Sequence, residues 1–186
     1  MKVLKFKRSR LQRTNYKTRL KILLSHEPRL IVRPTLKDMV VQVAEYNPKG
    51  DVIKFTVRAS DLRKRGWEYG TGNLPASYLC GYLAGLKAKR AGITKAILDI
   101  GSTFSVKGSR SFAVVKGCIE AGIDIPCSQE VLPSDDRVAG KHIGSYASSE
   151  SGKSKHQFST YKSDPKKIPE AVITIKEKIS KEMSNG

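Results

Sequence analysis

The stretch Gly70–Gly101, GTGNLPASYLCGYLAGLKAKRAGITKAILDIG, decides the fold. It reads as a glycine-bearing loop, a helix and then a strand. Asn73 is placed to cap the helix, and Pro75 falls in the first turn, where a missing N–H costs least. Leu79, Leu83 and Leu86 recur at helical spacing, while Lys87, Lys89 and Arg90 gather near the C-terminal end. Cations there suit the helix dipole, and Gly92 is a C-terminal stop. Ser77, Gly81 and Gly85 stand four residues apart. An interior glycine costs roughly 0.5–1 kcal/mol relative to alanine, so the row predicts a close approach to a sheet. Ala96 to Ile100 is mostly apolar without alternation, as in a strand covered on both faces. Such a unit belongs to an α/β domain.

Upstream, the charge dominates. Met1 to Ser25 carries nine lysines and arginines and no acid; through Lys37 there are twelve against Glu27 alone, so +11 of the total +18 lies in the first fifth of the chain. A like-charged arm repels itself until phosphates neutralise it. Met1–Arg13 reads as an exposed arm that runs into a short helix ending before Pro28, with Tyr16, Leu20, Leu23 and Leu24 on one face. Leu30–Arg33, Met39–Tyr46 and Val52–Arg58 read as strands, the last two joined as a hairpin by the turn cluster Asn47–Asp51. Ile53, Phe55 and Val57 point one way; Lys54, Thr56 and Arg58 point the other, giving either an RNA-facing or a merely solvated surface. In Asp61–Tyr69, Arg63, Lys64 and Arg65 sit beside Trp67, which either stacks on an exposed base or plugs the core edge.

Downstream, Ser102–Ser111 is a loop containing Lys107, Ser109 and Arg110. Phe112–Ala121 is a second helix, with a small-residue face at Ala113, Gly117 and Ala121. Ile123–Pro126 reads as a brief strand, and a capped segment starts near Ser134. From Cys118 to Glu150 six acids face two bases, a flank suited to a protein neighbour more than to a phosphate backbone. Ser145–Ser163 is a Ser/Lys-rich extension without a core of its own. Ile168–Met183 is a terminal helix whose Ile168, Val172, Ile175 and Ile179 form a packing stripe. The division is therefore a basic arm and short helix over 1–27, an α/β core over 28–144, and an extension with a terminal helix over 145–186.

A chain of 186 residues with a net charge of +18 and a pI near 10.0 has the field of a polyanion binder. Nucleic acid is preferred to an anionic membrane because no strongly apolar amphipathic helix appears. Nothing reads as a signal peptide or a membrane span. Cys80, Cys118 and Cys127 are odd in number and widely spaced, which suits a reducing compartment. Enzyme signatures fail one by one. Gly70–Asn73 lacks the third glycine of a dinucleotide fingerprint, and the Lys107 loop lacks phosphate-loop spacing. The cysteines and His26, His142 and His156 have no zinc spacing. A two-metal nuclease built on Asp99 with Glu120, Asp124, Asp135 or Asp136 has no spacing to select it. No enzyme, metal, cofactor or small-molecule substrate is expected, and a DNA-binding protein is the other binding class.

Seven segments in order then carry a resemblance. They are Arg13–Tyr16 with Arg19-Leu20, Pro28–Arg33, Gly72–Leu79, Ala96–Gly101, Gly108–Ala113, Lys116–Gly122 and Asp136–Ile143. Together they resemble the archaeal and eukaryotic form of ribosomal protein L-eighteen. The resemblance implies an α/β fold with a mixed sheet and helices packed against it. It implies cytoplasmic work on the ribosome, in the central protuberance of the large subunit. The partners would be 5S rRNA, 23S rRNA and neighbouring large-subunit proteins. It points to Lys7, Arg8, Arg10, Arg13, Asn15, Tyr16, Arg19, Arg33, Ser109 and Arg110 as RNA-binding. Charge alone adds Lys5, Lys21, Lys54, Arg58, Arg63, Lys64, Arg65 and Lys107. The family's arginine run ends in Gly-Lys-Thr-Asp-Tyr, whereas Leu11–Tyr16 here lacks that glycine and acid.

Overall fold

Apolar alternation after Pro28 builds a sheet whose two faces have different fates. In the structure, a computed structural model describing residues 4–149 and 158–184, strands β1 (Arg29–Pro34), β2 (Met39–Glu45) and β3 (Val52–Arg58) form an antiparallel meander. A short β4 (Ile97–Asp99) joins parallel to β1, giving the order β3-β2-β1-β4. Register pairs Leu30 with Val43 and Val32 with Val41, and these four side chains are buried together with Met39 and Val57. Side chains alternate across a strand, so Arg29, Ile31 and Arg33 point to the opposite face.

The expected pattern in β3 holds only in part. Its pairing with β2 slips at Val43/Ala44, and beyond that irregularity Ile53 is 51% exposed while Val57 is fully buried. Likewise β4 is a sheet margin, and its Ile97 and Leu98 are half-buried, not covered on both faces. Ile123–Pro126 shrinks to a single parallel bridge between Lys95 and Asp124.

The inner face is covered by the long helix of the opening stretch. Here the α-helices described are α1 (Lys7–Arg10), α2 (Tyr16–Leu23), α3 (Leu74–Arg90), α4 (Arg110–Glu120), α5 (Asp135–Ala139), α6 (Lys141–Ser148) and α7 (Ile168–Ser184). Asn73 Oδ1 accepts from the Ala76 N–H at 2.9 Å, as the capping argument requires. The glycine row of α3 does not meet the sheet, however. A Cβ on Gly81 would lie 2.1 Å from the Val114 carbonyl oxygen, and one on Gly117 would lie 2.3 Å from that of Tyr78. The small faces of α3 and α4 thus interlock backbone to backbone. Buried between them, the Cys118 Sγ contacts the Gly81 carbonyl at 3.1 Å, and burial pushes its thiol up to about 12.

Gly140, at φ +80°, separates α5 from α6. The stripe of α7 packs as expected, with Ile168, Val172, Ile175 and Ile179 all buried against the core. Trp67 is the core plug of the two alternatives: it is 2% exposed and donates Nε1–H to the Gly70 carbonyl at 3.1 Å. Its ring begins an aromatic chain through Tyr69, Tyr161, Phe158 and Tyr146, with centroid spacings of 5.1, 5.6, 5.3 and 6.3 Å. Residues 150–157 of the Ser/Lys-rich stretch lie outside the described residues.

Candidate nucleic-acid interface

The arm lies across the outer face of the sheet. Neither α1 nor α2 buries a residue, so its hold on the body is polar. Asn15 caps α2 by accepting from the Lys17 and Thr18 amides at 3.1 and 3.2 Å. Tyr16, 39% exposed, packs its ring on Phe6 at 5.3 Å and ties the two turns of the arm to each other, not to the core. The expected apolar face is open, with Leu20 and Leu24 both exposed. Thr18, Arg19 and Ile22 are instead the α2 residues that turn toward the sheet.

Beneath them is a chain of alternating charges. Arg19 reaches both carboxylate oxygens of Asp51, at 2.9 and 2.8 Å. Asp51 also lies 2.5 Å from Arg29 Nη2. Arg29 Nη1 donates to Asp99 Oδ2 at 3.1 Å, and Arg33 Nη2 donates to Asp99 Oδ1 at 3.0 Å. Arg33 Nη1 adds a 2.6 Å bond to the Asp99 carbonyl oxygen, and the Gly101 amide donates to Oδ1 at 2.8 Å. Burial by itself raises the Asp51 carboxyl; the Arg29 and Arg19 guanidiniums outweigh it and hold the group below its ordinary value. Arg29 is 2% exposed, a buried guanidinium whose charge these two aspartates balance.

Asp99 is accordingly a clamp for two arginines. Glu120 is taken by Tyr78 at 2.5 Å and Lys176 at 2.7 Å, and Asp135 by Lys116 at 2.6 Å. Among the described residues no three His, Cys, Asp or Glu side chains converge as a metal site.

A cleft of about 310 Å³ opens between arm and sheet, and Arg8, Arg13, Asn15, Arg19 and Arg33 of the sequence-predicted set meet there. Arg8 is fastened through Nε to Thr14 Oγ1 at 2.9 Å. Lys5, Lys7, Arg10, Tyr16 and Lys21 belong to the same arm and are exposed. The remaining residues lie elsewhere. Lys54 pairs with Glu45 at 2.9 Å, and Lys107 lies 3.5 Å from Glu130. Arg58, Arg63 and Lys64 are exposed around the 3-10 turn Ala59–Arg65. Arg65 pairs with Glu182 of α7 at 2.8 Å. Arg110 donates to the carbonyls of Thr35 and Gly72, both at 3.0 Å, bracing two loops, and Ser109 sits half-buried before α4. Arg29 and the Gly101–Thr103 turn were not singled out, although both line the arm's clefts and Ser102 Oγ donates to the Gln12 carbonyl at 3.0 Å. The available signal for Arg29 was its period-two spacing with Arg33 on β1.

The family model described as "Ribosomal large subunit proteins 60S L5, and 50S L18" matches residues 2–93. The chain is 48% identical over 187 residues to the "Large ribosomal subunit protein uL18" of Korarchaeum cryptofilum, covering 98% of this chain and 95% of that protein. To the protein of the same name from Thermofilum pendens it is 46% identical over 180 residues, covering 93% and 92%. Matched along nearly its whole length, the chain belongs to this family of ribosomal large-subunit proteins.

Proposed function

We propose that the chain binds 5S rRNA and helps attach it to 23S rRNA in the central protuberance, using the basic arm as its principal contact. Its family makes it a structural, non-enzymatic component of the large ribosomal subunit, working on the ribosome in the cytoplasm. The observation that carries the finer reading is the arm itself: a segment with nine bases and no acid through Ser25, whose two described helices lie on the outer sheet face without burying one residue. Such an element contributes little to the core, so its charges remain available for phosphates. Residues 1–27 are the RNA-binding arm in this reading, with Lys5, Lys7, Arg8, Arg10, Arg13, Asn15, Tyr16, Arg19 and Lys21 as contacts alongside Arg33. Residues 28–144 form the scaffold, which adds Lys54, Arg58, Arg63, Lys64, Lys107 and Ser109. Arg65 and Arg110 serve there mainly by holding local structure. Residues 145–186, with the acidic flank before them, meet neighbouring proteins.

Binding to 5S rRNA in competition with excess tRNA and duplex DNA, over a salt series, tests this reading. The full chain should hold 5S rRNA against both competitors, and a chain lacking Met1–Tyr16 should bind at least about tenfold more weakly, with a shallower salt slope at about 0.7–0.9 per lost phosphate contact. Equal affinity for every competitor would reduce the chain to a general polyanion binder.

A further inference from the structure

The cleft under the arm has properties that a structural ion-pair cluster does not need. Five arginines line it, Arg8, Arg13, Arg19, Arg29 and Arg33, against two aspartates, Asp51 and Asp99, which leaves three positive charges. Ion pairing for its own sake would match the charges. Moreover, Arg29 is not satisfied. Its Nε is buried and has no acceptor, and Nη2 approaches Asp51 without the angle of a hydrogen bond. A buried donor without an acceptor costs about 1–3 kcal/mol, more when it is charged. The two aspartates use the outer edge of the guanidinium and leave its inner N–H free.

The cleft is also shaped for an anion between planar donors. Gly101, at φ +65°, leaves room that a Cβ would fill, since such an atom would lie 2.9 Å from Arg33 Cζ. The Arg33 guanidinium therefore lies flat beside the turn, with its side chain 41% exposed toward the cleft. Arg13 makes no side-chain hydrogen bond or ion pair among the described residues and is exposed at the rim. The α2 amide donors nearest the cleft are already taken by Asn15, so side chains and not a helix terminus supply the free donors.

The geometry points to a specific seat for one backbone phosphodiester of RNA, held by Arg13 and Arg33 at the rim and by Arg29 Nε at the floor. The inference rests on the 5S rRNA reading and adds a residue, Arg29, and a ligand atom to it. Because Arg29 Nε is closed to water in the free chain, the phosphate reaches it as α2 shifts outward. That movement is inexpensive for a helix that buries no residue and is tied by the Arg19–Asp51 pair. RNA binding and arm rearrangement are then one event, with the phosphate supplying the acceptor that Arg29 lacks.

The Nε–Hε resonance of Arg29 in the isotope-labelled full chain reports this directly, followed by nuclear magnetic resonance as 5S rRNA or inorganic phosphate is added. With 5S rRNA, the Arg29 signal should move and saturate together with the arm amides. Arg13→Gln, an exposed substitution that leaves the fold intact, should weaken RNA binding about three- to tenfold and lower the salt slope by about one phosphate. If the arm amides respond to RNA while the Arg29 signal stays in place, the seat is refuted and the 5S rRNA reading survives. A response of Arg29 to inorganic phosphate but not to RNA would also refute it. If 5S rRNA moves neither, both readings fall.

Discussion

Two regions of the molecule bring a helix against a partner, and they do so by opposite physics. Helices α3 and α4 meet through glycine, with no ion pair between them, so closely that no side chain fits at Gly81 or Gly117. Helix α2 meets the sheet through Arg19, Asp51, Arg29, Asp99 and Arg33, and buries no residue of its own. Packing of the first kind is nearly indifferent to salt and pH and intolerant of added volume. Contact of the second kind is screened, titratable and exchangeable for another anion. In the proposed function, the first kind belongs to the scaffold and the second to the part offered to a polyanionic ligand.

The largest effect that sharpens the contrast is expected at Gly81. In Gly81→Leu the new side chain meets the Val114 backbone, which cannot rotate away, so the cost should reach about 3 kcal/mol or more. Chemical denaturation should show the loss, unchanged between low and high salt. Next is Asp99→Asn, which leaves Arg33 with no carboxylate partner and Arg29 with Asp51, which it shares with Arg19. Breaking a largely buried pair this way should cost about 3 kcal/mol, and thermal melting should show it. A loss below about 1 kcal/mol would mean the charge chain is incidental.

Arg19→Gln should do far less to global stability, below about 1 kcal/mol, because the pair is partly exposed. Its effect should appear instead as faster amide exchange confined to α2. The smallest effect is acid release of the arm. The Asp51 carboxyl titrates below its ordinary value of 3.8 in the folded chain, so its stabilisation is fully present above that value. It is lost as the pH falls from about 3.8 through the lower folded value, so α2 should loosen only below about pH 4 while α3 does not respond.

Particular residues show how much of this was legible. The cap at Asn73, the stripe of α7 and the basic arm were all readable, because each is a local pattern with one physical meaning. The glycine faces of α3 and α4 were readable separately, but periodicity tells which face is bare and not what covers it. The sheet was therefore named as partner where α4 is. Burial of Trp67 could not be chosen over base stacking, since Tyr161 and Phe158, which continue its aromatic chain beyond Tyr69, lie about ninety residues away, in a stretch whose average composition hides them. The contact face of α2 was misjudged because Leu20 and Leu24 suggested apolar packing, whereas the sheet face beneath carries Arg29 and Arg33. Arg29 itself looked like one more strand residue. Only the register, which brings Ile31 beside Asp99, shows that β1 and β4 place a carboxylate between two arginines.

Hydrogen–deuterium exchange on the full chain, with and without 5S rRNA and at low and high salt, tests the division between scaffold and arm most directly. The account predicts that α2 exchanges fast in the free chain and faster in high salt, and becomes protected when 5S rRNA binds, while α3 and α4 stay slow throughout. Protection by RNA that appears on α7 and the acidic flank, with α2 unchanged, would contradict it.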